Sequence, residues 1–105
     1  MPLPPIDHDY LAAQTGGDAA LARELLTLLA EQCRHLLSGI ADPDRSLSDR
    51  ADLAHTLKGS ALGVGAGAVA RESGALEEAF RAGRAADPMP LAKAVAETLQ
   101  AIARD

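Results

Sequence analysis

Apolar residues recur every three to four positions in four long stretches of the chain, and no stretch shows the alternation of a half-buried strand. The four stretches cover residues 19–40, 47–64, 68–83 and 91–105, and a shorter helical stretch covers residues 8–14. Short connections between them favour antiparallel neighbours. The pattern predicts an all-α fold, an up-down antiparallel four-helix bundle with a short extra N-terminal helix.

Length and composition fit this architecture. The chain of 105 residues suits one domain with one core, and with one Tyr, one Phe and no Trp that core must consist of Leu, Ala, Val and Ile. In the first long helix the stripe at helical spacing is predicted to consist of Leu21, Leu25, Leu28, Leu29, Gln32, Leu36 and Ile40. We expect a single domain over residues 1–105, in which Pro2, Pro4 and Pro5 keep residues 1–6 extended.

Charge and cysteine content exclude several classes of function. The net charge of −5 gives no attraction to nucleic acid or to anionic lipid, and no apolar run approaches the ~20 residues that span a bilayer. The single cysteine, Cys33, cannot form an internal disulfide and is predicted to fill space in the core. The first ten residues lack the pattern of a secretory signal, so we expect a cytoplasmic location. We also expect a monomer.

The segment AHTLKGSALGVGA, residues 54–66, combines a histidine and a lysine with several glycines. Residues 63–68, GVGAGA, match a variant of the dinucleotide fingerprint, but that motif requires a preceding strand. A P-loop is also excluded, because Lys58 precedes the glycines instead of following them. The glycines therefore predict a turn that ends the helix, and we expect neither a cofactor nor a metal site.

A helical wheel places His55 on the exposed side of its helix. Measured from Leu57, which faces the core, His55 lies about 160° away. Lys58 and Gly59 follow one turn later, and Ala51, Asp52 and Leu62 are predicted to share this side. A glycine inside a helix costs ~1 kcal/mol relative to alanine, so we interpret Gly59 as clearance for a partner. Ala51, Gly59 and Leu62 are the predicted partner-binding residues.

The pair His55 and Lys58 suits one kind of chemistry. A neutral imidazole is a nucleophile near pH 7, and a lysine one turn away can offset the charge of a phosphoryl group on the ring. A solvated surface histidine beside a solvated lysine is the alternative interpretation. The other two histidines are weaker candidates for a functional site. His8 lies at a helix start that Asp7 is predicted to cap, and His35 is predicted to be on the surface.

The residues around His55 extend the pattern. A-H-T-L-K-G-S-A at 54–61 is followed by Gly65-Ala66, Leu76-Glu77 and Arg81-Ala82-Gly83. In order and spacing the chain resembles, over residues 6–103, the histidine-containing phosphotransfer (HPt) domains of two-component phosphorelays. The resemblance implies a four-helix bundle with an exposed phosphoacceptor histidine on its second long helix.

The resemblance also implies a role for each residue. His55 would be the phosphoacceptor, Lys58 the cation near the phosphoryl oxygens and Gly59 the clearance for an incoming receiver domain. Glu77 would reach the imidazole and fix its tautomer, although a salt bridge to Arg81 is an alternative. The implied partners are receiver domains of response regulators and a sensor histidine kinase. The protein would be a stoichiometric phosphoryl carrier without an ATP site.

Three other functions stay open. The first is a docking module of HPt fold that is never phosphorylated, although such a module would not need the imidazole. The second is the dimerising hairpin of a sensor kinase, which is disfavoured because His55 is followed by Thr-Leu-Lys-Gly and not by an acidic residue and a proline. The third is the phosphoacceptor domain of a chemotaxis-type kinase, which is less favoured because the sequence ends at Asp105.

Overall fold

The computed structural model describes residues 4–104, and these residues form five helices and no strand. The helices are α1 (His8–Gln14), α2 (Ala19–Ile40), α3 (Leu47–Val64), α4 (Gly67–Arg81) and α5 (Met89–Arg104). The predicted all-α fold is therefore confirmed. Residues 1–3 of the predicted extended segment, and Asp105, lie outside the described residues.

Local capping explains where the helices begin and end. The side chains of Asp7, Asp18 and Ser46 each accept a hydrogen bond of 3.0 Å from a backbone N–H in the first turn of α1, α2 and α3. Gly65 ends α3 with φ 79°, a left-handed conformation that favours glycine. The predicted turn is thus present at Gly65, whereas Gly63 still lies inside α3 and Gly67 already begins α4.

The four long helices pack as a ring. Each contacts its neighbours in sequence, and α5 packs back against α2. The pairing of α3 with α4 is the most extensive, and α1 lies against α2 and α3. At the start of α1, the backbone N–H of Asp7 donates a hydrogen bond of 2.9 Å to the carbonyl of Gly65, which ends α3. The fold is the predicted four-helix bundle with a short N-terminal helix.

The core is mostly aliphatic, with Cys33 and Phe80 buried in it, and the stripe that α2 contributes corrects part of one prediction. The buried stripe of α2 runs with alternating spacings of three and four residues through Leu26, Leu29, Cys33, Leu36 and Ile40. This stripe faces α3 and α5. The prediction is confirmed for Leu29, Leu36 and Ile40, which are buried, and wrong for Leu21, Leu28 and Gln32, which are exposed. Cys33 is buried as predicted, and burial raises the pKa of its thiol to about 11, against the opposing charge of Arg34.

One charged side chain is part of the core. Arg50, in the first turns of α3, is 5% exposed. Its Nε atom donates a hydrogen bond of 2.7 Å to the carbonyl oxygen of Ile40 at the end of α2. Its guanidinium carbon lies 4.5 Å from the centre of the Phe80 ring on α4. Arg50 therefore joins three helices and caps the C-terminus of α2.

Candidate functional site

His55 projects from the middle of α3 into solvent. Its side chain is 66% exposed, whereas the flanking Ala54 and Leu57 are fully buried in the core. The helical period produces this contrast, because each residue is turned by about 100°, which places Ala54 about 100° and Leu57 about 160° from His55. The outward position that the wheel predicts for His55 is present in the structure.

Glu77 on α4 reaches the imidazole of His55. The Nδ1 atom of the ring lies 3.0 Å from Oε2 and 3.2 Å from Oε1 of the carboxylate. An ionised carboxylate only accepts hydrogen bonds, so Nδ1 must carry the proton that is donated to Glu77. In the neutral ring, Nε2 then holds the free lone pair.

The carboxylate of Glu77 also faces two cations. The Nζ atom of Lys58 lies 3.7 Å from Oε1, and the Nη2 atom of Arg81 lies 3.5 Å from Oε2. Burial alone would raise the pKa of Glu77, but the hydrogen bond from His55 and the charges of His55, Lys58 and Arg81 outweigh it and hold the pKa below its usual value. Glu77 is therefore a carboxylate at neutral pH.

Arg81 contacts a second carboxylate, that of Asp52; the sequence predicted the exposed position of Asp52 but not this contact. The Nη2 atom of Arg81 lies 2.9 Å from Oδ1 of Asp52 on α3. The hydrogen bond to Asp52 outweighs desolvation and, together with the charges of Asp52 and Glu77, raises the pKa of Arg81. The only sequence signal for Asp52 is its position three residues before His55, which puts both on one face of α3. The two predicted contacts of Glu77, with the imidazole and with Arg81, occur together.

Of the three predicted partner-binding residues, two lie on the surface. A methyl group added to Gly59 would find nothing within 4 Å, and Leu62 is 53% exposed. Ala51 is fully buried, so the prediction that it shares the exposed side is wrong. On the wheel Ala51 lies about 120° from Leu57, on the flank of α3, and its one-carbon side chain is covered by the closely packed bundle.

Comparison with known families identifies the chain. Residues 19–105 match the family described as the Hpt domain. The chain belongs to the Hpt domain family. Hpt domains are phosphotransfer modules of two-component systems, phosphocarriers rather than enzymes, and they interact with two-component kinases and receiver domains. No curated protein and no solved structure matches the chain significantly.

The surface of this Hpt domain that begins at Gly59, one helical turn beyond His55, is shallow and mostly apolar. A groove of about 270 Å³ runs between α2 and α3, where Gly59 and Gly63 leave space next to Leu25 and Leu28. Leu28 is 55% exposed at the edge of this groove.

Among the described helices, none is long and apolar enough to cross a membrane.

Proposed function

We propose that this Hpt domain is a phosphorelay intermediate, in which His55 accepts a phosphoryl group from the aspartyl phosphate of one receiver domain and passes it to an aspartate of another. The observation that carries the proposal is the hydrogen bond between Nδ1 of His55 and Glu77, which leaves Nε2 of an exposed ring as the nucleophile.

The transfer step follows from this arrangement. The lone pair of Nε2 attacks phosphorus, the N–P bond forms, and the P–O bond to the receiver aspartate breaks as its carboxylate leaves with the electron pair. Nδ1 keeps its proton throughout, so the ring gains positive charge, which the Glu77 carboxylate offsets. Lys58, one turn from His55, offsets the negative charge of the phosphoryl oxygens. The reverse step delivers the group to the next receiver.

The surface around His55 suits a receiver domain. Gly59 leaves the approach to the imidazole open, and Leu62 and the groove at Leu28 offer apolar contacts close by. We propose that the domain works as a cytoplasmic monomer and that a sensor histidine kinase upstream supplies the phosphoryl group. The domain then binds neither nucleotide nor metal itself.

The test is phosphorylation by receivers. The purified chain is incubated with phosphorylated receiver domains encoded in the same genome, and mass spectrometry locates the phosphoryl group. We expect it on His55, abolished in His55→Gln and retained in the matched control His35→Gln, which changes another exposed histidine. A chain that binds receivers but never becomes phosphorylated would contradict the proposal and support a docking module instead.

A further inference from the structure

Arg81 lies between two carboxylates that come from different helices. Its Nη2 atom is 2.9 Å from Oδ1 of Asp52 on α3 and 3.5 Å from Oε2 of Glu77 on α4. The shorter contact is the one to Asp52, although Asp52 is two-thirds exposed and Glu77 is mostly buried. The Arg81 guanidinium is thus held at α3, one helical turn before the residue that we propose to be phosphorylated.

The charges around His55 are balanced before any phosphoryl group arrives. Lys58 and Arg81 supply two positive charges, Asp52 and Glu77 two negative charges, and each cation lies within 4 Å of a carboxylate. A phosphoryl group adds a charge of roughly −1.5 to −2 at neutral pH. It must therefore compete with existing ion pairs for each cation.

The two cations differ in how firmly they are held. Lys58 is 3.7 Å from Glu77, and a flexible ammonium group can turn toward a new anion at little cost. Arg81 has a contact of 2.9 Å with Asp52, so its release requires that an ion pair between two helices be broken. Asp52 also stands on the same face of α3 as His55, where its negative charge opposes a second anion.

From this competition we infer that Asp52 is a positioning residue: by holding Arg81, it limits the stabilisation of phosphorylated His55 and so favours onward transfer of the phosphoryl group. The inference rests on the proposed function. It concerns the position of the transfer equilibrium, and it adds a residue beyond Lys58 and Glu77, whose contact of 3.7 Å does not involve Asp52.

Removal of the Asp52 charge should shift that equilibrium. In Asp52→Asn the guanidinium loses its ion pair with Asp52 and keeps only the longer contact of 3.5 Å with Glu77, so it can turn more readily toward the phosphoryl oxygens. We expect the ratio of phosphorylated His55 to phosphorylated receiver to rise about two- to fivefold, the size of effect that loss of an exposed ion pair produces. The rise should shrink at high salt, because salt screens exposed charges. Asp52→Glu, which keeps the charge, should restore a ratio close to that of the wild type.

The experiment measures this ratio at equilibrium with a receiver domain that exchanges phosphoryl groups with the wild-type chain. The transfer equilibrium between the free proteins does not depend on how fast they bind. Glu72→Gln is the matched control, because it removes the same charge and breaks an exposed contact of 3.4 Å with Arg71 on α4. We expect no change in the ratio for this control.

A double variant separates the two possible actions of Asp52, which are retention of Arg81 and direct repulsion of the phosphoryl group by its own charge. If Asp52 acts through Arg81, the effect of Asp52→Asn should largely disappear in an Arg81→Gln background. An unchanged ratio in Asp52→Asn, or an equal effect with and without Arg81, would overturn the inference while the proposed function stands. A wild-type chain that takes up no phosphoryl group from any receiver would overturn both.

Discussion

His55 on α3 and Glu77 on α4 are joined through their side chains, with Nδ1 of the ring 3.0 Å from Oε2 of the carboxylate. The contact depends on close packing of the two helices. Lys58 shows how close they are: a methyl group on Gly74 of α4 would lie 3.4 Å from the Lys58 side chain. Lys58 therefore extends along α4 past Gly74 toward Glu77, and the three proposed catalytic side chains meet at one helix pair.

The first prediction concerns the tautomer of His55. In Glu77→Gln the carboxylate becomes an amide that can donate as well as accept, so Nδ1 no longer has to carry the proton. We expect ¹⁵N NMR to show a smaller fraction of Nδ1-protonated neutral ring, and the rate of phosphorylation to fall about tenfold or more. Glu78→Gln, at the exposed neighbouring position, is the control. An unchanged tautomer ratio in Glu77→Gln would remove Glu77 from the site.

The second prediction follows from the pKa of Glu77, which is lower in the folded protein than its usual value. As the pH falls, the Glu77 carboxylate therefore binds a proton at a higher pH in the unfolded chain than in the folded chain. Glu77 ionisation therefore stabilises the fold above the usual Glu pKa of ~4.3, and this stabilisation is lost as the pH falls through the lower folded value.

Urea unfolding at several pH values measures this effect. The difference in unfolding free energy between the wild type and Glu77→Gln should be present above the usual Glu pKa of ~4.3 and should shrink as the pH falls below it. A difference that stays constant from neutral to acidic pH would mean that the ion pairs of Glu77 do not contribute to stability.

The third prediction concerns the stability of the phosphoacceptor position. Because the His55 side chain is 66% exposed, His55→Gln should change the unfolding free energy by no more than ~1 kcal/mol, the range of an exposed ion pair. Urea unfolding of this variant beside His35→Gln provides the comparison. A loss of ~2 to 5 kcal/mol, which is typical of core truncations, would be incompatible with an exposed imidazole.

The fourth prediction concerns Gly59, where an added side chain would meet only open space. Gly59→Gln should stabilise α3 by ~0.5 to 1 kcal/mol, since glycine is a poor helix former, yet slow phosphotransfer from a receiver because the side chain occupies the approach to His55. Gly59→Ala should give a similar gain in stability with a smaller loss of rate. Equal transfer rates in all three proteins would refute the clearance role.

Local features of the sequence are enough to predict the helices. The bounds of α1, α2 and α3 follow from the capping side chains and from Gly65, whose effects act within one or two turns. The outward position of His55 follows from the helical period alone. Predictions that depend on neighbouring helices are less successful: Ala51 is buried by the packed bundle, and Leu28 lies outside the buried stripe of α2.

Contacts between helices could not be derived from the periodicity. The distance from Glu77 to His55 depends on the packing of α3 against α4, and only resemblance to a family suggested that contact. The ion pair between Asp52 and Arg81 had no sequence signal beyond helical spacing. Arg50 was missed for a related reason, because an arginine on an amphipathic helix indicates a solvated face unless a specific buried acceptor is known.

The last prediction tests the structural role of Arg50, which is buried between α2, α3 and α4. Arg50→Met keeps much of the side-chain volume but removes the hydrogen bond of 2.7 Å to the Ile40 carbonyl and the charge over Phe80. Hydrogen bonds from charged groups contribute ~1.5 to 3 kcal/mol, while the cost of burying the charge opposes them, so we expect a loss of about 1 to 3 kcal/mol in unfolding free energy. Arg50→Ala should lose more, because it also leaves a cavity. Arg71→Ala, which breaks an exposed ion pair on α4, should lose less than ~1 kcal/mol. If Arg50→Met were as stable as the wild type, the guanidinium would not be what holds the end of α2 against α3 and α4.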